Sequence, residues 1–553
     1  MISVYKSKKK LPLLSASEVR ELELQHARKT TSETYVLMQQ AGRALWQCYQ
    51  EKFSQYKNIL VLVGPGNNGG DGYEFACHVL NDVSKKKNSV IKVRVRFVAD
   101  NNDTENWIKN CRSDASLALE KLLAIYDDLQ PFNRDDLNQS DVVIDGILGT
   151  GIKPPAREIF STTIKTVNQS QLPVLSIDTP SGLDTDRGIE IGEAINARVT
   201  LTFIALKKGL VTGAGKSHCG ELYLHTLGVD KPQLAMSESR YLTPLSSLSF
   251  MQKITQRNSN THKGDFGRTL IIGGNCGMGG AAILAAEAAC RVGSGSVVLV
   301  THPQNVSSAL ARRPEVMVHG FSDDEMEQPA QIEKLISFLT GSSSVVIGPG
   351  LGQDSWAKIL LESTLEWCKQ QHKNLVLDAD GLRLAKKLAM DIQHCIITPH
   401  PGEAAFLLSE PTDKITTAEI QQDRYYFAEK LQDTVAQGVI LKGAGSILVT
   451  TEKNEINSET HQQINVCPYG NAGMASAGMG DVLAGTIGGL MAQGLTPSYA
   501  ALSGMLIHSL AADRAAKGDE VGLLASDLFS ELKFLVNHGT DFSEMTEEKK
   551  NCQ

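Results

Sequence analysis

The stretch from Asn471 to Gly485 has the residue types and spacing of a catalytic phosphate site, and it reads N-A-G-M-A-S-A-G-M-G-D-V-L-A-G. Gly478 and Gly480 permit positive φ and close backbone approach, and the apolar run after Asp481 predicts a buried helix. The free N–H groups and the macrodipole at such a helix start favour a phosphate. Asp481 would repel that anion unless it acts as a base on a neighbouring substrate hydroxyl. The alternative is an N-cap aspartate on a helix that packs tightly through glycine and alanine.

A second polar stretch, residues 65–72, follows an apolar strand predicted over residues 58–64. A strand, a glycine-rich loop and a helix in that order are typical of a doubly wound nucleotide-binding domain. The loop lacks G-x-G-x-x-G, and Asn67, Asn68 and Asp71 suit hydroxyls, amides or a cation better than bare pyrophosphate. A purely structural turn is the alternative, although such a turn does not need these three side chains together.

Two further loops end predicted strands of the first half. Gly149 to Pro155 follows the strand 141–148, and Asp178 opens D-T-P-S-G-L-D after the strand 173–177. In open parallel sheets, ligands bind at the carboxyl ends of the strands, and the oxygens gathered there can hold a hard or alkali cation. Asp178 is the acid/base candidate of this half, and a turn-stabilising aspartate before a proline is the alternative.

The second half has its own loops after predicted strands, namely G-G, G-P-G-L-G, D-A-D-G, T-P-H-P-G-E and K-G-A-G-S. His400, which lies between two prolines at a strand end, is predicted to contact a ligand, although most lone histidines are structural. Lys442 to Ser446 has the composition of a phosphate or adenine-ribose loop. Because G-x-x-x-x-G-K-[ST] is absent, any nucleotide would be bound by a fold without a P-loop.

The elements that position these loops predict two α/β domains. A chain of 553 residues is too long for one core, and strands alternate with helices in both halves. The hydrophobic rhythm breaks near residues 230–240, so the predicted domains span residues 11–230 and 240–540. Their loops differ in chemistry, which predicts two different sites.

Composition argues against several classes of protein. The net charge of -8, from 54 basic and 62 acidic residues, and the lack of a basic stripe argue against nucleic-acid binding. Ten cysteines without a C-x-x-C pair argue against zinc and against a disulfide framework, and they fit a reducing cytoplasm. Leu11 to Leu14 is too short for a signal-peptide core, and no apolar run reaches membrane-spanning length. We therefore expect a soluble, cytoplasmic protein with neither nucleic-acid nor membrane partners.

Motifs in both halves resemble a known family. The Asn471–Gly485 stretch, T-P-H-P-G-E, D-A-D-G-L, G-P-G-L-G and H-K-G-D-F-G resemble the ADP-dependent NAD(P)H-hydrate dehydratase, which has a ribokinase-like fold. G-N-N-G-G-D-G, D-G-I-L-G-T-G and D-T-P-S-G-L-D are similar to the NAD(P)H-hydrate epimerase. Their order matches the bifunctional repair enzyme over roughly residues 11–540. The resemblance implies an N-terminal Rossmann-like three-layer sandwich followed by a C-terminal ribokinase-like domain.

For the first domain, the resemblance implies epimerisation of the R and S forms of hydrated NADH or NADPH, in which water has added across the nicotinamide ring. Asp178 is the implied acid/base, and Asn68, Asp145 and Ser181 are the implied ligands of a potassium ion. The implied contacts to the hydrated cofactor are Asn67, Asn68, Gly69, Gly70, Asp71, Gly149, Thr150, Gly151, Ile152, Lys153, Pro154, Pro155 and Asp178.

For the second domain, the resemblance implies dehydration of the S form at the expense of ADP, giving AMP and phosphate. Asp481 would activate the ring hydroxyl, ADP with Mg²⁺ would donate a phosphoryl group, and loss of phosphate would restore NAD(P)H. The implied contacts to the hydrated cofactor are Ala281, Gly350, His400 and Asp481. The implied contacts to ADP are Lys442, Gly443, Ala444, Gly445, Ser446 and Gly480.

The sequence departs from the family pattern at two places. Asn471 to Gly473 lacks the proline of the usual G-N-P-G, and Lys153 to Pro155 replaces an arginine or glycine before one proline. Both changes bear on affinity more than on the reaction. A ribokinase-like kinase of a small alcohol or vitamin precursor is the alternative function, and a non-catalytic nucleotide sensor is a second. We expect the protein to form a homo-oligomer, specifically a tetramer.

Overall fold

The computed structural model describes residues 1–30, 34–85, 90–100, 103–152, 157–229, 239–248, 257–325, 328–453 and 460–538. Lys153, Pro154 and Pro155, which are among the expected cofactor contacts, lie outside these residues. Two compact units divide the chain, a first unit up to Leu234 and a second unit from Ala235, with Lys8–Lys10 assigned to the second. No helix in the described ranges is both long enough and apolar enough to cross a membrane.

The first unit alternates strands with helices. Its strands are β1 (Ile2–Ser3), β2 (Leu11–Leu14), β3 (Asn58–Val63), β4 (Lys92–Phe97), β5 (Gln130–Pro131), β6 (Val142–Gly146), β7 (Val174–Ile177), β8 (Leu183–Asp184), β9 (Ile189–Glu190), β10 (Val199–Phe203), β11 (Leu206–Lys207) and β12 (Glu221–His225). Its helices are α1 (Ala16–Thr30), α2 (Tyr35–Lys52), α3 (Asn67–Lys85), α4 (Thr104–Asn110), α5 (Asp114–Leu123), α6 (Asp135–Asn138), α7 (Glu158–Ser170) and α8 (Ala214–His218).

The main sheet of the first unit has the order β1-β12-β10-β7-β6-β3-β4-β5, and β1 is its antiparallel strand. Alternate residues of β3 face opposite sides. Ile59, Val61 and Val63 pack with residues of α2, α3 and α5, whereas Leu60 and Leu62 pack with residues of α7. The sheet is therefore covered by helices on both faces, as apolar runs in parallel strands predict. This is the three-layer α/β sandwich expected from the sequence.

The start of α3 differs from the sequence prediction, in which residues 65–72 form a loop before the helix. The helix begins at Asn67, so the polar motif forms its first turns. A Cβ at Gly69 would lie 2.1 Å from the Gly64 carbonyl oxygen, and one at Gly70 would lie 2.6 Å from the Met38 side chain. These glycines let the helix pack closely on the strand end and on α2, a contact that local sequence does not show.

The second unit is also α/β. Its strands are β13 (Ser239–Leu242), β14 (Arg268–Ile272), β15 (Ser296–Thr301), β16 (Met317–Gly320), β17 (Ser344–Ile347), β18 (Leu375–Leu377), β19 (Ile396–Ile397), β20 (Gly438–Leu441), β21 (Ile447–Lys453) and β22 (Thr460–Val466). Its helices are α9 (Gly279–Arg291), α10 (Val306–Arg312), α11 (Pro329–Thr340), α12 (Ser355–Gln370), α13 (Asp380–Lys387), α14 (Pro401–Leu408), α15 (Thr417–Gln422), α16 (Arg424–Thr434), α17 (Met479–Ala492), α18 (Pro497–Ala516) and α19 (Leu528–His538).

The strands of the second unit follow the order β13-β22-β21-β20-β19-β18-β17-β14-β15-β16. Parallel pairing runs from β20 to β16, while β21 is antiparallel to both β20 and β22. One face of the sheet packs against α9, α17, α18 and α19 in a large apolar cluster. The loops predicted to hold ligands follow β14, β17, β18, β19 and β20, so they meet at one edge of the sheet.

Candidate active sites

The start of α17 places Asp481 in the second unit. Gly478, whose φ is +87°, precedes the helix, and Asp481 lies half-buried in the first turn. A Cβ at Gly480 would lie 3.1 Å from the Lys442 ammonium and 3.5 Å from the Asp378 carboxylate. A side chain at position 480 would therefore crowd the Lys442–Asp378 pair sterically. The glycine-opened helix predicted from the sequence is present, and it adjoins Lys442.

Lys442 is the centre of a charged cluster at this edge. Its Nζ lies 3.1 Å from Asp378 Oδ1 and 3.8 Å from Glu403 Oε2, and both carboxylates are buried. Burial opposes the charge of Lys442, but Asp378 and Glu403 outweigh it and raise the pKa of the ammonium. Within this cluster, Lys442 places its ammonium next to the helix start, where a phosphate is favoured.

The electrostatics of Asp481 suit a proton acceptor. Burial, followed by the charge of Asp378, raises the pKa of Asp481 to about 7, and Lys442 opposes the shift. A carboxylate with a pKa near the working pH is matched to general-base chemistry. A plain helix-capping aspartate would not need this environment.

Loops after three neighbouring strands are tied together beside Asp481. The side-chain amide of Asn275 donates hydrogen bonds to Leu351 O at 3.0 Å and to the Asp354 carboxylate. The backbone N–H of Asn275 donates to Gly350 O at 2.7 Å. Asp380 accepts from the Gly352 N–H at 3.0 Å. These bonds hold the loops that follow β14, β17 and β18 in fixed relation.

Two expected cofactor contacts meet where these loops approach α9. Gly350 has a φ of +58°, and a Cβ there would lie 3.1 Å from the Ala281 Cβ and 2.5 Å from the Met278 carbonyl oxygen. The structure thus brings Gly350 and Ala281 together. Ala379 has a φ of +50°, which is rare for a residue with a Cβ, and it separates Asp378 from Asp380. The strained turn directs one carboxylate to Lys442 and the other to the glycine loop.

His400 has a local structural role in addition to its expected ligand contact. It is the N-cap of α14, and its Nδ1 accepts from the N–H groups of Gly402 at 3.0 Å and Glu403 at 3.3 Å. The Glu403 carboxylate accepts in turn from the His400 N–H at 2.9 Å. This capping box orients Glu403 towards Lys442. The imidazole remains about half exposed at the site.

The Lys442–Ser446 loop joins the antiparallel strands β20 and β21, so it is a hairpin turn. Arg424 is buried beneath it and donates to the carbonyl oxygens of Leu441 and Lys442, at 3.3 Å each. Gly443 has a φ of +142°, and a Cβ there would lie 2.6 Å from the guanidinium. Arg424 therefore supports the loop from below and leaves its outer side for a ligand.

In the first unit, Asp178 lies directly after β7, with a φ of +61°. Its carboxylate contacts Lys207 and Thr202, and it accepts from the Phe203 N–H at 2.9 Å. Burial, followed by the charges of Asp178 and Glu23, raises the pKa of Asp71 well above its ordinary value. The structure brings the predicted Asp71 and Asp178 together and adds Lys207 and Glu23 to the site.

The three residues expected to bind potassium also meet. Ser181 donates from its backbone and its hydroxyl to the Asp145 carboxylate, and the Asn68 amide donates to Leu148 O at 2.9 Å. Burial raises the pKa of Asp145, while hydrogen bonds from Ser181 and Ser176 oppose the rise. No cationic side chain pairs with this carboxylate in the described ranges. A buried carboxylate among amide, hydroxyl and carbonyl oxygens fits an alkali cation.

The described part of the Gly149–Pro155 loop borders the same group. A Cβ at Gly149 would lie 3.2 Å from the Asn68 Cβ, so Gly149 faces the start of α3. Thr150 and Ile152 follow it, and a Cβ at Gly151 would meet open space. The loop therefore lies beside Asn67–Asp71, as expected for two segments that share one ligand.

Sequence reasoning missed several residues of both sites. Asp378 directly follows β18, and Glu403 lies in the first turn of α14, which follows β19, so their positions at the strand ends were a usable signal. Lys207 follows the strand predicted over residues 197–206, but a continuous strand would carry it past Asp178, because Leu201 is already level with Ile177. The chain instead bends at Ile204 and brings Lys207 back to Asp178, which depends on long-range contacts. Glu23 belongs to α1 and is much more distant from Asp178 in sequence than Lys207 is.

Comparisons with known proteins match both units. A family model described as NAD(P)H-hydrate dehydratase matches residues 269–533, and one described as YjeF-related protein N-terminus matches residues 34–209. The bifunctional NAD(P)H-hydrate repair enzyme Nnr of Coxiella burnetii is 38% identical over 523 residues, covering 94% of this chain and 98% of the relative. The Escherichia coli enzyme of the same name is 36% identical over 523 residues, with 94% and 93% covered.

A solved ADP/ATP-dependent NAD(P)H-hydrate dehydratase from Bacillus subtilis, co-crystallised with ATP/Mg²⁺, is 24% identical and covers 54% of this chain and 98% of its own, with a TM-score of 0.42. The chain belongs to the family of bifunctional NAD(P)H-hydrate repair enzymes. The prediction of a Rossmann-like domain followed by a ribokinase-like domain is confirmed. The small-alcohol kinase, the alternative suggested by the glycine–aspartate motif, is not supported.

Proposed function

We propose that the chain repairs hydrated NADH and NADPH in two steps, one in each unit. The first domain, residues 11–230, interconverts the R and S forms. The second domain, residues 240–540, dehydrates the S form at the expense of ADP and yields AMP and phosphate. The observation that supports this assignment most directly is Asp481, a half-buried carboxylate with a pKa of about 7 beside Lys442 at a glycine-opened helix start.

Dehydration needs a better leaving group than hydroxide. Asp481 takes the proton of the ring hydroxyl, and the hydroxyl oxygen attacks the terminal phosphorus of ADP as AMP leaves. The carbon–oxygen bond then breaks, phosphate leaves with the bonding electrons, and loss of a proton from the adjacent ring carbon restores the double bond. Lys442 and the free N–H groups of α17 stabilise the negative charge on the transferring group.

ADP enters as its Mg²⁺ complex, so the metal arrives with the substrate. In the part of the chain that the structure describes, no three His, Cys, Asp or Glu side chains are grouped so as to hold a metal ion. The contacts that we assign to ADP are Lys442, Gly443, Ala444, Gly445, Ser446 and Gly480. Those assigned to the hydrated cofactor are Ala281, Gly350, His400 and Asp481.

Epimerisation takes place at the edge of the first sheet. Asp178 acts as the acid/base, and Asn67 to Asp71 with Gly149 to Pro155 hold the hydrated cofactor. Asn68, Asp145 and Ser181 would hold a potassium ion, whose charge neutralises the buried carboxylate and steadies the two loops. Removal of potassium should therefore weaken binding of the hydrated cofactor in the first domain and leave ADP-dependent dehydration of the S form intact.

We also propose a cytoplasmic location and a homo-oligomeric assembly for the chain. None of the nine described cysteines forms a disulfide bond, and the sequence has no C-x-x-C pair, which supports a reducing cytoplasm. The proposed assembly is a homo-tetramer, and light scattering on the purified chain measures the oligomeric state directly.

Single aspartate substitutions test the division of labour. Asp481→Asn should lower the dehydration rate of purified S epimer at least about 100-fold, because the general base is lost, and leave epimerisation unchanged. Asp178→Asn should do the reverse. Chromatographic separation of the two epimers and NADH measures both reactions in one sample. Equal loss of both reactions in either variant contradicts a separate site in each unit.

A further inference from the structure

Two strained turns lie side by side at the edge of the first sheet. The Thr179 N–H donates to Ile177 O at 2.6 Å around Asp178, and the Ala205 N–H donates to Phe203 O at 2.7 Å around Ile204. The central residues have φ values of +61° and +67°, so both are γ-turns of the rare, strained type. A positive φ is a marked outlier for a β-branched residue such as Ile204. Strain of this kind persists where surrounding contacts enforce it, and it often marks a functional site.

The two turns determine how the Asp178 carboxylate is held. Its Oδ1 accepts three hydrogen bonds, from the Thr202 hydroxyl at 3.1 Å, the Phe203 N–H at 2.9 Å and the Lys207 ammonium. Its Oδ2 accepts none from the residues that the structure describes. The carboxylate is anchored by one oxygen, and 17% of its side chain is exposed.

Lys207 is almost fully buried, and its donors are used inside the protein. Besides Asp178, the ammonium donates to the Thr202 hydroxyl at 3.0 Å and to Phe203 O at 2.9 Å. An ammonium has three protons, so none is left for a ligand. The bend at Ile204, between the end of β10 and the start of β11, is what returns Lys207 to this position.

We propose that Lys207 is a positioning residue for epimerisation, which fixes Asp178 through Oδ1 so that Oδ2 faces the hydrated cofactor as the proton-accepting oxygen. This inference rests on the proposed epimerase function of the first unit. It also assigns a purpose to the paired γ-turns, because they align Thr202, Phe203 and Lys207 on the same carboxylate oxygen.

The neighbouring carboxyl groups support the choice of Asp178 as the acceptor. Glu23 and Asp71 both face the Asp178–Lys207 pair, and burial is the main cause that raises the pKa of each, with the charge of Asp178 next. Because their pKa values are raised, Glu23 and Asp71 hold a proton more readily than an ordinary exposed carboxyl group does. Neither contacts Lys207 by a hydrogen bond within the described residues, so the ammonium serves Asp178.

Matched substitutions in β10 test the inference without removing a charge. Thr202→Val keeps the shape of the side chain and deletes the hydroxyl that bridges Asp178 and Lys207, whereas Thr202→Ser keeps the hydroxyl. Thr200→Val is the control, because Thr200 is equally buried in the same strand but its hydroxyl donates to Cys219 O at 2.8 Å. Lys207→Met removes the anchoring charge itself.

The expected result is a fall in kcat for epimerisation with little change in KM. Lys207→Met should lower kcat about 100-fold, as small misplacements of a catalytic group do, and Thr202→Val should lower it about tenfold. Thr202→Ser should recover most of the lost rate, and Thr200→Val should match the unmodified chain. ADP-dependent dehydration of purified S epimer, measured on the same samples, reports that the chain is folded.

Three outcomes separate the possibilities. An unmodified chain that does not interconvert the epimers faster than buffer overturns the proposed function itself. An active chain in which both Thr202→Val and Lys207→Met keep the full kcat overturns the positioning role alone. A rise in KM at constant kcat also overturns it, since that pattern indicates a ligand contact.

Discussion

Asp481 and Asp178 are both aspartates at the edges of α/β sheets, yet their surroundings differ. Burial, and then the charge of its carboxylate neighbour Asp378, raise the pKa of Asp481 to about 7. Asp178 is held by an ammonium and two further donors on one oxygen. The environment of Asp481 suits a base that takes a proton from the substrate and must release it again after phosphoryl transfer. The environment of Asp178 suits a base whose carboxylate is held in one orientation.

The pKa of Asp481 predicts the pH dependence of dehydration. A base must be ionised, and the folded-state pKa is raised, so kcat/KM for the S epimer should rise about tenfold per pH unit below about pH 7 and level off above it. Rates of NADH formation at saturating ADP over a pH series measure the profile. A flat profile on the acid side of neutrality contradicts the assignment of Asp481 as the base.

Asp378→Asn provides the control for the cause of this shift. Asp378 raises the pKa of Asp481, so its neutral replacement should move the acid limb of the profile to lower pH. The replacement also removes the carboxylate nearest to Lys442, at 3.1 Å, and leaves the ammonium with Glu403 at 3.8 Å. A less neutralised ammonium acts on Asp481 in the same direction. A limb that moves to higher pH would contradict the electrostatic account.

At the scale of elements, small residues control the position of α17. The alanine-rich α9 packs against α17 in the apolar cluster of the second unit. A Cβ at Gly485 would lie 2.0 Å from the Ala285 carbonyl oxygen. This close contact sets how far the start of α17, and with it Asp481, lies from the glycine loops.

Gly485→Ala should therefore destabilise the second unit by about 1–3 kcal/mol, since the added methyl group meets backbone atoms that cannot yield easily. Gly280→Ala is the matched control, because a Cβ at Gly280 in α9 meets nothing within 4 Å. That change should stabilise the helix by about 0.5–1 kcal/mol. Denaturant unfolding of the three chains measures the difference, and equal stability of both variants would contradict the packing account.

Sequence reasoning located the main strands and the glycine loops because buried parallel strands are short apolar runs that end in turn residues. In the second unit it missed β13, β16, β21 and β22. Their pairing depends on distant partners, such as Ser239 with Gln463. It also placed the start of α3 too late, since the packing of Gly69 on Gly64 is invisible locally. Asp481, Asp178 and the Asn68–Asp145–Ser181 group were predicted as site residues from motifs and stay predictions, whereas Lys207 and Asn275 required the folded chain.

At the scale of the whole molecule, the described residues of each proposed site belong to a single unit. Chains with Asp178→Asn and with Asp481→Asn should therefore complement each other when mixed, because the S epimer released by one is a substrate for the other. Equal amounts of the two variants should convert an epimer mixture completely in the presence of ADP. A mixture that converts no more than the Asp178→Asn chain alone would show that substrate does not pass through solution.

The most direct test of two repair steps in one chain is the recovery of dihydronicotinamide absorbance from an acid-prepared mixture of hydrated NADH epimers, with the unmodified chain, ADP, Mg²⁺ and potassium. The account predicts complete recovery of NADH that depends on ADP, at a rate well above spontaneous epimerisation. Recovery that stops once the S epimer is consumed would contradict the role of the first unit. No recovery with either ADP or ATP would contradict the repair function as a whole.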